Sequence, residues 1–556
     1  MNGFILLLVW VLPLSLAVLA GKRHASWIMI AAPLPALLAA AVVPVGSSVS
    51  LPWLLLGTEL GLDETGRVFL LFSGLLWLIA SLYGTGRKAD SHHSTRYRVF
   101  FLLAMAGNLG LIVAQDMLSF YLGFTLMGLS AYGLIADARS QHARQAARRY
   151  LVWTIAGEML LFVAIVMLAA QHGGVSFSVL QSGTPAGLVI LLLFVGFGIK
   201  LALPGLHLWL PPAYAVTPTA AVAVLSGSMI NAGLLGWLRF LPFGNAALVD
   251  WGQLLLTIGI AGIIFGAIAG LLQRSPRLLL GYSSISKMGV LTSGTGAALA
   301  WPEAAPVVIA AVVIYAAHHA LVKAALFLGV GLVEREGLRV WMQAGLVFLA
   351  LALAGAPLTS GAFAKSVLTS SLPGGSQLLI TLLAVSAFLS TLLMVRLLLL
   401  VRRMRVSKPS PLATESITAW LLLLAIIAVY PIVISQGGQL LANMVPVFLG
   451  VLVSLLALLA SRRFPVRIPA RPARSAAKAI ALRYRRGIRY LLCTAALAFE
   501  ALQSTARSHH ERLRQTLQQA FLQLRRSAND DERWQLAGSL LLGIGGLLLS
   551  GFIFTL

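Results

Sequence analysis

The sequence contains little charge and almost no cysteine. Charged residues make up 10% of its 556 residues, whereas soluble globular proteins carry about 25%. Because 59% of the residues are apolar and are spread over the whole length, a soluble enzyme, a disordered protein and a secreted disulfide scaffold are excluded. The single cysteine, Cys493, excludes a disulfide within the chain and any multi-cysteine metal or iron–sulfur site. A polytopic membrane protein remains.

Long apolar runs without alternation follow one another along the chain. A helix crosses the hydrocarbon core with about 20 apolar residues, whereas barrel strands alternate polar and apolar residues over about 10 positions. The continuous runs therefore predict an all-α polytopic membrane protein with about 16 transmembrane helices. The predicted spans are residues 3–20, 27–43, 67–84, 99–114, 117–136, 150–170, 185–204, 219–240, 253–271, 278–297, 306–333, 343–361, 377–400, 417–436, 442–460 and 534–554.

The basic loops indicate the orientation of these spans. Clusters of Arg and Lys at 22–23, 87–98, 139–149, 274–277 and 402–408 fall on one side, and the acidic loop at 59–64 falls on the other. The positive-inside rule makes the basic side cytoplasmic and places both termini outside. The first span resembles a signal peptide, but no small-residue cleavage site clearly follows it. We expect a multi-pass protein of the bacterial inner membrane.

The region after residue 461 differs in composition from everything before it. Residues 461–533 contain sixteen Arg or Lys against five Asp or Glu, and their apolar residues recur at helical spacing. We predict a basic linker and lateral amphipathic helix within 462–533, followed by a terminal transmembrane anchor at 534–556. The helix either lies on anionic lipid or braces partner subunits. Topology and lipid explain the excess charge, so we expect no nucleic-acid partner.

Several ionisable residues lie inside the predicted spans, where each costs several kcal/mol and needs an explanation. They are Glu158, Lys200, Lys287, His318, His319, Lys323 and Lys365. The functional interpretation is a proton path, because moving a partner charge near a lysine switches proton uptake and release. The structural alternatives are a snorkelling lysine for Lys200 or Lys365 and an interface position for Lys287. They also include a satisfied hydrogen bond for Glu158 and a structural role for the histidines.

Helix-breaking residues accompany two of these lysines. They are Pro204 and Pro218 after Lys200, and Gly355, Pro357 and Gly361 before Lys365. Broken segments at corresponding places in two halves are typical of inverted-repeat transporters. The two interruptions lie five spans apart, so we predict two inverted five-helix repeats with broken helices. The predicted regions are 1–98 for the N-terminal helices, 99–241 and 252–400 for the two half-channel repeats, and 401–461 for the C-terminal transmembrane helices.

Five stretches carry a family resemblance. They are DMLSFYLGFTLMGLSAYGLI, KLALPGLHLWLPPAYAVTPTAA, LLGYSSISKMG, HALVKAALFLGVG and GAPLTSGAFAK. Their order and spacing over about residues 65–400 resemble the antiporter-like subunit family shared by respiratory complex I, Mrp cation/proton antiporters and membrane-bound hydrogenases. The predicted lateral helix with its last span is similar to the distal complex I subunit and to some hydrogenase relatives.

The resemblance implies a role for several of the ionisable residues. Lys200 corresponds to the first-half lysine, Lys323 with His319 beside it to the connecting lysine, and Lys365 to the exit-side lysine. The family usually pairs its first lysine with a glutamate in the fifth helix, where this sequence has Thr125.

Two further residues concern the charge of the path. Glu158, in the sixth helix, matches a place where relatives can carry an acidic residue and is the candidate substitute for the missing glutamate. Lys287 stands where relatives often carry His or Gln, which makes the middle of the path more positive.

The function implied is a proton- or cation/proton-translocating membrane subunit of a multisubunit energy-converting complex. Its expected partners are other membrane subunits, contacted in part by the lateral helix, together with the lipid bilayer and protons or monovalent cations. No cofactor is expected in this chain, so any redox chemistry of an NADH:quinone oxidoreductase-like or hydrogenase-like complex belongs to partners. Two alternatives stay open: the energy-coupling subunit of an inorganic-carbon uptake complex, and an assembly subunit with a vestigial channel.

Overall fold

A computed structural model describes residues 1–20, 25–54, 57–85, 95–374, 376–407, 409–434 and 444–463. Nearly all of these residues belong to one compact unit, Met1–Ala460, and a second unit comprises Ser461–Leu556. The predicted lateral helix and the predicted span at 534–554 lie outside the described residues. Both therefore stay predictions.

Helices make up most of the described chain, as the apolar runs predict. They are α1 (Asn2–Val18), α2 (Ala25–Ala31), α3 (Leu34–Val42), α4 (Glu64–Thr85), α5 (Thr95–Val113), α6 (Met117–Ala136), α7 (Gln141–His172), α8 (Gly187–Leu201), α9 (Leu210–Val216), α10 (Thr219–Gly227), α11 (Ala232–Phe240), α12 (Val249–Leu271), α13 (Pro276–Ala300), α14 (Ala305–Glu336), α15 (Val340–Ala354), α16 (Ser360–Ser370), α17 (Gln377–Arg402), α18 (Thr414–Ile434) and α19 (Met444–Arg463). In this described part, nine segments are long and apolar enough to cross a membrane, and five shorter apolar helices accompany them.

Each predicted span up to residue 460 overlaps one of these helices or a consecutive pair, but two details of the prediction are wrong. The spans predicted at 27–43, 219–240 and 343–361 are each divided between two helices, and of these breaks the one from Ala354 to Ser360 coincides with the interruption predicted before Lys365. The fold is also not purely α-helical. A short antiparallel hairpin joins β1 (Ser48–Leu51) to β2 (Thr58–Gly61), and four-residue strands are too short to show a period against the long apolar runs around them.

Glycines set how closely the central helices pack. A Cβ added to Gly259 of α12 would stand 2.7 Å from the carbonyl oxygen of Gly289 on α13, and one added to Gly266 would stand 2.4 Å from the amide nitrogen of Ser286. Small residues at this spacing allow two helix backbones to touch, as in membrane helix pairs generally. This contact holds α13 deep in the unit, where most of its polar side chains, including Lys287, are buried.

Candidate functional site

The helix that carries Lys200 ends one residue later. After α8, Ala202 has a left-handed backbone (φ 56°), and no helix resumes until Leu210. The Ala202 amide and the Trp209 indole Nε1 both donate to the Ile199 carbonyl oxygen, the indole at 2.7 Å. These donors satisfy a carbonyl that the break leaves without an intrahelical partner. The interruption is therefore built into the packing around Lys200.

Lys200 lies inside the protein, with 4% of its surface exposed. Its Nζ donates to the Tyr150 hydroxyl at 3.2 Å, and that hydroxyl donates to the Gly128 carbonyl oxygen at 3.0 Å. The ammonium also lies 5.7 Å from the Phe124 ring centroid and 5.6 Å from that of Tyr150, within the range of cation–π attraction. This aromatic enclosure argues against the alternative of a lysine that snorkels to a membrane surface.

Glu158 faces the same region from α7. Its exposed fraction is 3%, and among the described residues its Oε1 has no hydrogen-bond partner. A Cβ added to Gly128 would stand 2.3 Å from that oxygen, so the glycine makes room for the carboxylate. Glu158 and Lys200 interact electrostatically. The alternative of a fully satisfied interhelical hydrogen bond does not fit this geometry.

A second group of buried polar side chains connects α13, α14 and α16. Lys287 Nζ donates to the Tyr315 hydroxyl at 3.3 Å. One turn further along α14, His318 Nδ1 lies 3.0 Å from the Ser360 hydroxyl oxygen. Lys287 is 4% exposed, so its amine lies inside the protein and not on its surface.

Lys323 and His319 share one face of α14, as their spacing of four residues predicts. Lys323 Nζ donates to the Leu280 carbonyl oxygen at 2.8 Å and to the Ser283 hydroxyl. Neither ring nitrogen of His319 has a hydrogen-bond partner within the described chain, although the residue is fully buried. A buried imidazole without partners is costly, and water is the usual partner that satisfies such groups.

Lys365 lies beside the second interruption. Gly355, at the end of α15, has φ 85°, and Leu358 has φ 63°, so the chain turns sharply around Pro357 before α16 begins. A Cβ added to Gly361 would stand 1.9 Å from the Ala352 carbonyl oxygen. Lys365 is 5% exposed, and in the described part of the chain its Nζ has no hydrogen-bond partner.

A third interruption, at Met229–Asn231 between α10 and α11, falls within the single span predicted at 219–240. A Cβ added to Gly227 before it would stand 2.8 Å from the Ala320 carbonyl oxygen on α14. One added to Gly233 after it would stand 3.2 Å from Lys200 Cβ. Asn231 is fully buried, and its Oδ1 lacks a partner among the described residues. This segment therefore lies between Lys200 and the helix that carries His319 and Lys323.

Uncharged polar residues within apolar runs are the sequence feature that could have indicated this buried polar region. The Ser228 hydroxyl lies 2.6 Å from that of Ser73 and 2.5 Å from Asn108 Oδ1, which also accepts from Trp77 Nε1 at 2.8 Å. The ionisable residues within the spans do not reveal this cluster. Asn108 and Asn231 stand out in their apolar runs by the same reasoning, because a buried amide needs hydrogen-bond partners.

Several known proteins are similar to this chain in sequence. A family model described as "NADH:quinone oxidoreductase/Mrp antiporter, TM" matches residues 114–384. NADH-quinone oxidoreductase subunit N of Desulforudis audaxviator is 31% identical over 377 residues, which cover 62% of this chain and 72% of the relative. Hydrogenase-4 component B of Escherichia coli is 27% identical over 286 residues, and the match covers 49% of this chain and 43% of that protein.

Two solved structures have a similar fold. One is the Mrp complex from Dietzia sp., with a TM-score of 0.72 and 22% identity over 99% of this chain and 66% of the matched chain. The other is an archaeal membrane-bound sulfane sulfur reductase, with a TM-score of 0.67 and 21% identity over 84% of this chain and 86% of the matched chain. The chain belongs to the antiporter-like family of membrane subunits found in NADH:quinone oxidoreductase, hydrogenase and Mrp complexes. The predicted family is thus confirmed.

Proposed function

We propose that this chain translocates protons, or exchanges cations for protons, as a membrane subunit of a multisubunit energy-converting complex. The observation that carries the proposal is a series of buried ionisable side chains beside interrupted helices. Several of their polar atoms lack protein partners in the described chain. Ionisable groups inside a membrane protein mark ion pathways and proton relays by default. Interrupted helices admit the polar backbone and water that such a path needs.

In the first half, we assign proton exchange to Lys200 with Glu158 as its counter-charge. The family glutamate position is occupied by Thr125, which cannot carry charge. Gly128, three residues further along α6, leaves the space that the Glu158 carboxylate fills from α7. The acidic partner has therefore moved to the neighbouring helix, and Tyr150 supports the lysine from the same helix as Glu158.

In the second half, the proposed path continues through three groups. His319 and Lys323 on α14 receive protons from the first half, across the interruption at Asn231. Lys287 with His318 forms the middle, and Lys365 forms the exit beside the second interruption. Apart from Glu158, these groups are amines and imidazoles, so protonating one electrostatically disfavours protonating the next. Such repulsion drives a proton onward once an adjacent charge moves.

The test is proton flux through the complex that co-purifies with the tagged chain, reconstituted in liposomes containing pyranine. We expect flux above protein-free liposomes when a K⁺ diffusion potential or a Na⁺ gradient is imposed. Flux equal to protein-free liposomes under both conditions contradicts the proposal. Mass spectrometry of the co-purifying subunits distinguishes the carbon-uptake alternative, since redox or hydrogenase subunits oppose it and one large soluble zinc protein supports it.

The assembly alternative makes a different prediction. If the chain acts mainly as a scaffold, deletion of residues 470–556 breaks the complex, whereas removing the buried lysines changes nothing measurable. The lysine variants separate the two roles and the deletion does not, because we also propose that the lateral helix contacts neighbouring membrane subunits and that the basic loops face the cytoplasm. Size-exclusion chromatography of the deletion variant tests the first part of this proposal, because loss of subunits is its expected result.

The close approach of Gly128 and Glu158 gives a direct prediction. In the Gly128→Ala variant the new methyl group displaces the carboxylate from its position, so we expect proton flux to fall by as much as about 100-fold, the cost of misplacing a reacting group by about 1 Å. Gly84→Ala is the matched control, because its nearest neighbouring atom would lie 4.0 Å away. Adding Gly128→Ala to Glu158→Gln should cause no further loss. Wild-type flux in Gly128→Ala refutes the assignment of Glu158.

A further inference from the structure

Arg277 lies at the start of α13, and its side chain is 13% exposed. In the sequence it belongs to the basic clusters that indicate the orientation of the spans. In the structure it contacts Glu334, near the end of α14, whose side chain is 31% exposed. Arg277 Nε donates to the two carboxylate oxygens at 2.8 and 3.0 Å, and Nη2 donates to Oε2 at 2.5 Å. This is the forked pairing that makes Arg–carboxylate contacts strong and directional.

The same guanidinium also donates hydrogen bonds to residues on both sides of the break between α9 and α10, which we call the Thr217–Thr219 gap. Arg277 Nη1 donates to the Thr217 carbonyl oxygen at 2.7 Å, and Nη2 donates to the Thr219 hydroxyl at 2.9 Å. Thr217 directly follows the last residue of α9 and Thr219 begins α10, with Pro218 between them. Thr217 precedes Pro218 and has an extended backbone (ψ 140°), as expected for a residue before proline, so its carbonyl is outside the helical ladder and Arg277 donates to it.

Helix α14 contacts this gap a second time through Gly331. A Cβ added to Gly331 would stand 2.2 Å from Thr219 Cγ2 and 2.7 Å from its hydroxyl oxygen. Gly331 and Glu334 are three residues apart, so they lie on one face of α14. The absence of a side chain at Gly331 lets α10 approach closely enough for Arg277 to bridge Thr219 and Glu334.

The helices on either side of the Thr217–Thr219 segment connect it to the proposed ionisable groups of both halves. Helix α9 follows Trp209, whose indole holds the Ile199 carbonyl beside Lys200. Helix α10 continues to Gly227, which packs against the Ala320 carbonyl next to His319. A shift of the Thr217–Thr219 segment relative to α14 would therefore move the first-half group relative to the second-half group.

We propose that Arg277 and Glu334 form a clamp that fixes the Thr217–Thr219 gap to α14, and that this clamp is required for protons to pass between the two halves. Arg277 is thus a positioning residue and does not itself carry protons. The transport part of this inference rests on the proposed function, whereas the clamp itself does not.

Hydrogen exchange in the intact complex tests the clamp independently of transport. In Arg277→Gln we expect amides of residues 210–222 to exchange about tenfold faster, the effect of losing contacts of this strength. Arg274→Gln, a change at an exposed arginine three residues earlier, should leave exchange unchanged. Wild-type exchange in Arg277→Gln overturns the clamp, whether or not the chain transports protons.

Proton flux in a double-mutant cycle tests the positioning role. We expect Arg277→Gln and Glu334→Gln each to lower flux about tenfold, and the double variant to be no worse than either single variant. Arg277→Lys, which keeps the charge but not the fork, should retain an intermediate flux. Faster exchange with wild-type flux overturns the positioning role. Absent flux in the wild type contradicts the proposed function instead, while the exchange result still decides the clamp.

Discussion

Replacing Lys200 by alanine is expected to lower proton flux about 100-fold, the range seen when a group that transfers protons is removed. The reason is that this amine lies against the rings of Phe124 and Tyr150. Among the described residues no other basic side chain lies over either ring, so none can replace it. The measurement is pyranine-detected flux in liposomes that contain the whole complex. Glu158→Gln should reduce flux to a similar degree, because it removes the charge that acts on Lys200.

The control for this prediction removes a positive charge that faces solvent. Arg149→Ala changes an exposed residue on α7, next to Tyr150, and should leave both flux and subunit composition unchanged. All three variants should elute as the intact complex on size exclusion. Normal flux in both Lys200→Ala and Glu158→Gln would overturn the proposed path and favour the assembly role.

The Gly361→Ala substitution is expected to destabilise the protein by about 3 kcal/mol or more, at the upper end of the cost of overpacking. The new methyl group would stand 1.9 Å from the Ala352 carbonyl oxygen and 3.0 Å from Gly355 Cα. Both obstacles are backbone atoms, so a rotamer change cannot relieve the contact. The end of α15 and the start of α16 must separate, which also displaces Lys365. Thermal unfolding in detergent, followed by tryptophan fluorescence, measures the effect.

Gly374→Ala is the matched control for this substitution, because nothing lies within 4 Å of its added Cβ. It should unfold at the wild-type temperature. Failure of Gly361→Ala to accumulate as folded protein is the extreme form of the expected result. An unfolding temperature equal to that of the wild type would show that the two segments separate without cost, and that the tight contact does not hold the interruption in place.

The proposed pairing of Lys200 with Glu158 illustrates how a family site can change while its chemistry is kept. Thr125 on α6 cannot carry a charge. Gly128, one turn further along α6, has no side chain, which leaves a space beside the neighbouring helix α7. The carboxylate of Glu158 on α7 occupies this space and interacts electrostatically with Lys200. In the proposed pairing, one acidic group is therefore kept on the helix next to α6.

Much of the fold could be predicted from local features of the chain. Apolar runs of membrane length located the helices up to residue 460, and proline and glycine near Lys200 and Lys365 pointed to segments where the structure has no continuous helix. The hairpin at 48–61 escaped prediction because its strands are short. The interruption at Met229–Asn231 escaped because no proline marks it.

Hydropathy and helix-breaking residues act within short stretches of the chain. The sequence by itself therefore determined that this protein is a helical, membrane-embedded member of its family, and roughly where its helices stop. Contacts between distant residues depend on how helices pack. Only the tertiary structure decided that Tyr150 supports Lys200, that Glu158 fills the space beside Gly128, and that Arg277 joins Glu334 to Thr217. Arg277 and Glu334 are 57 residues apart in the chain, and no local pattern specifies which side chain lies opposite another across a helix interface.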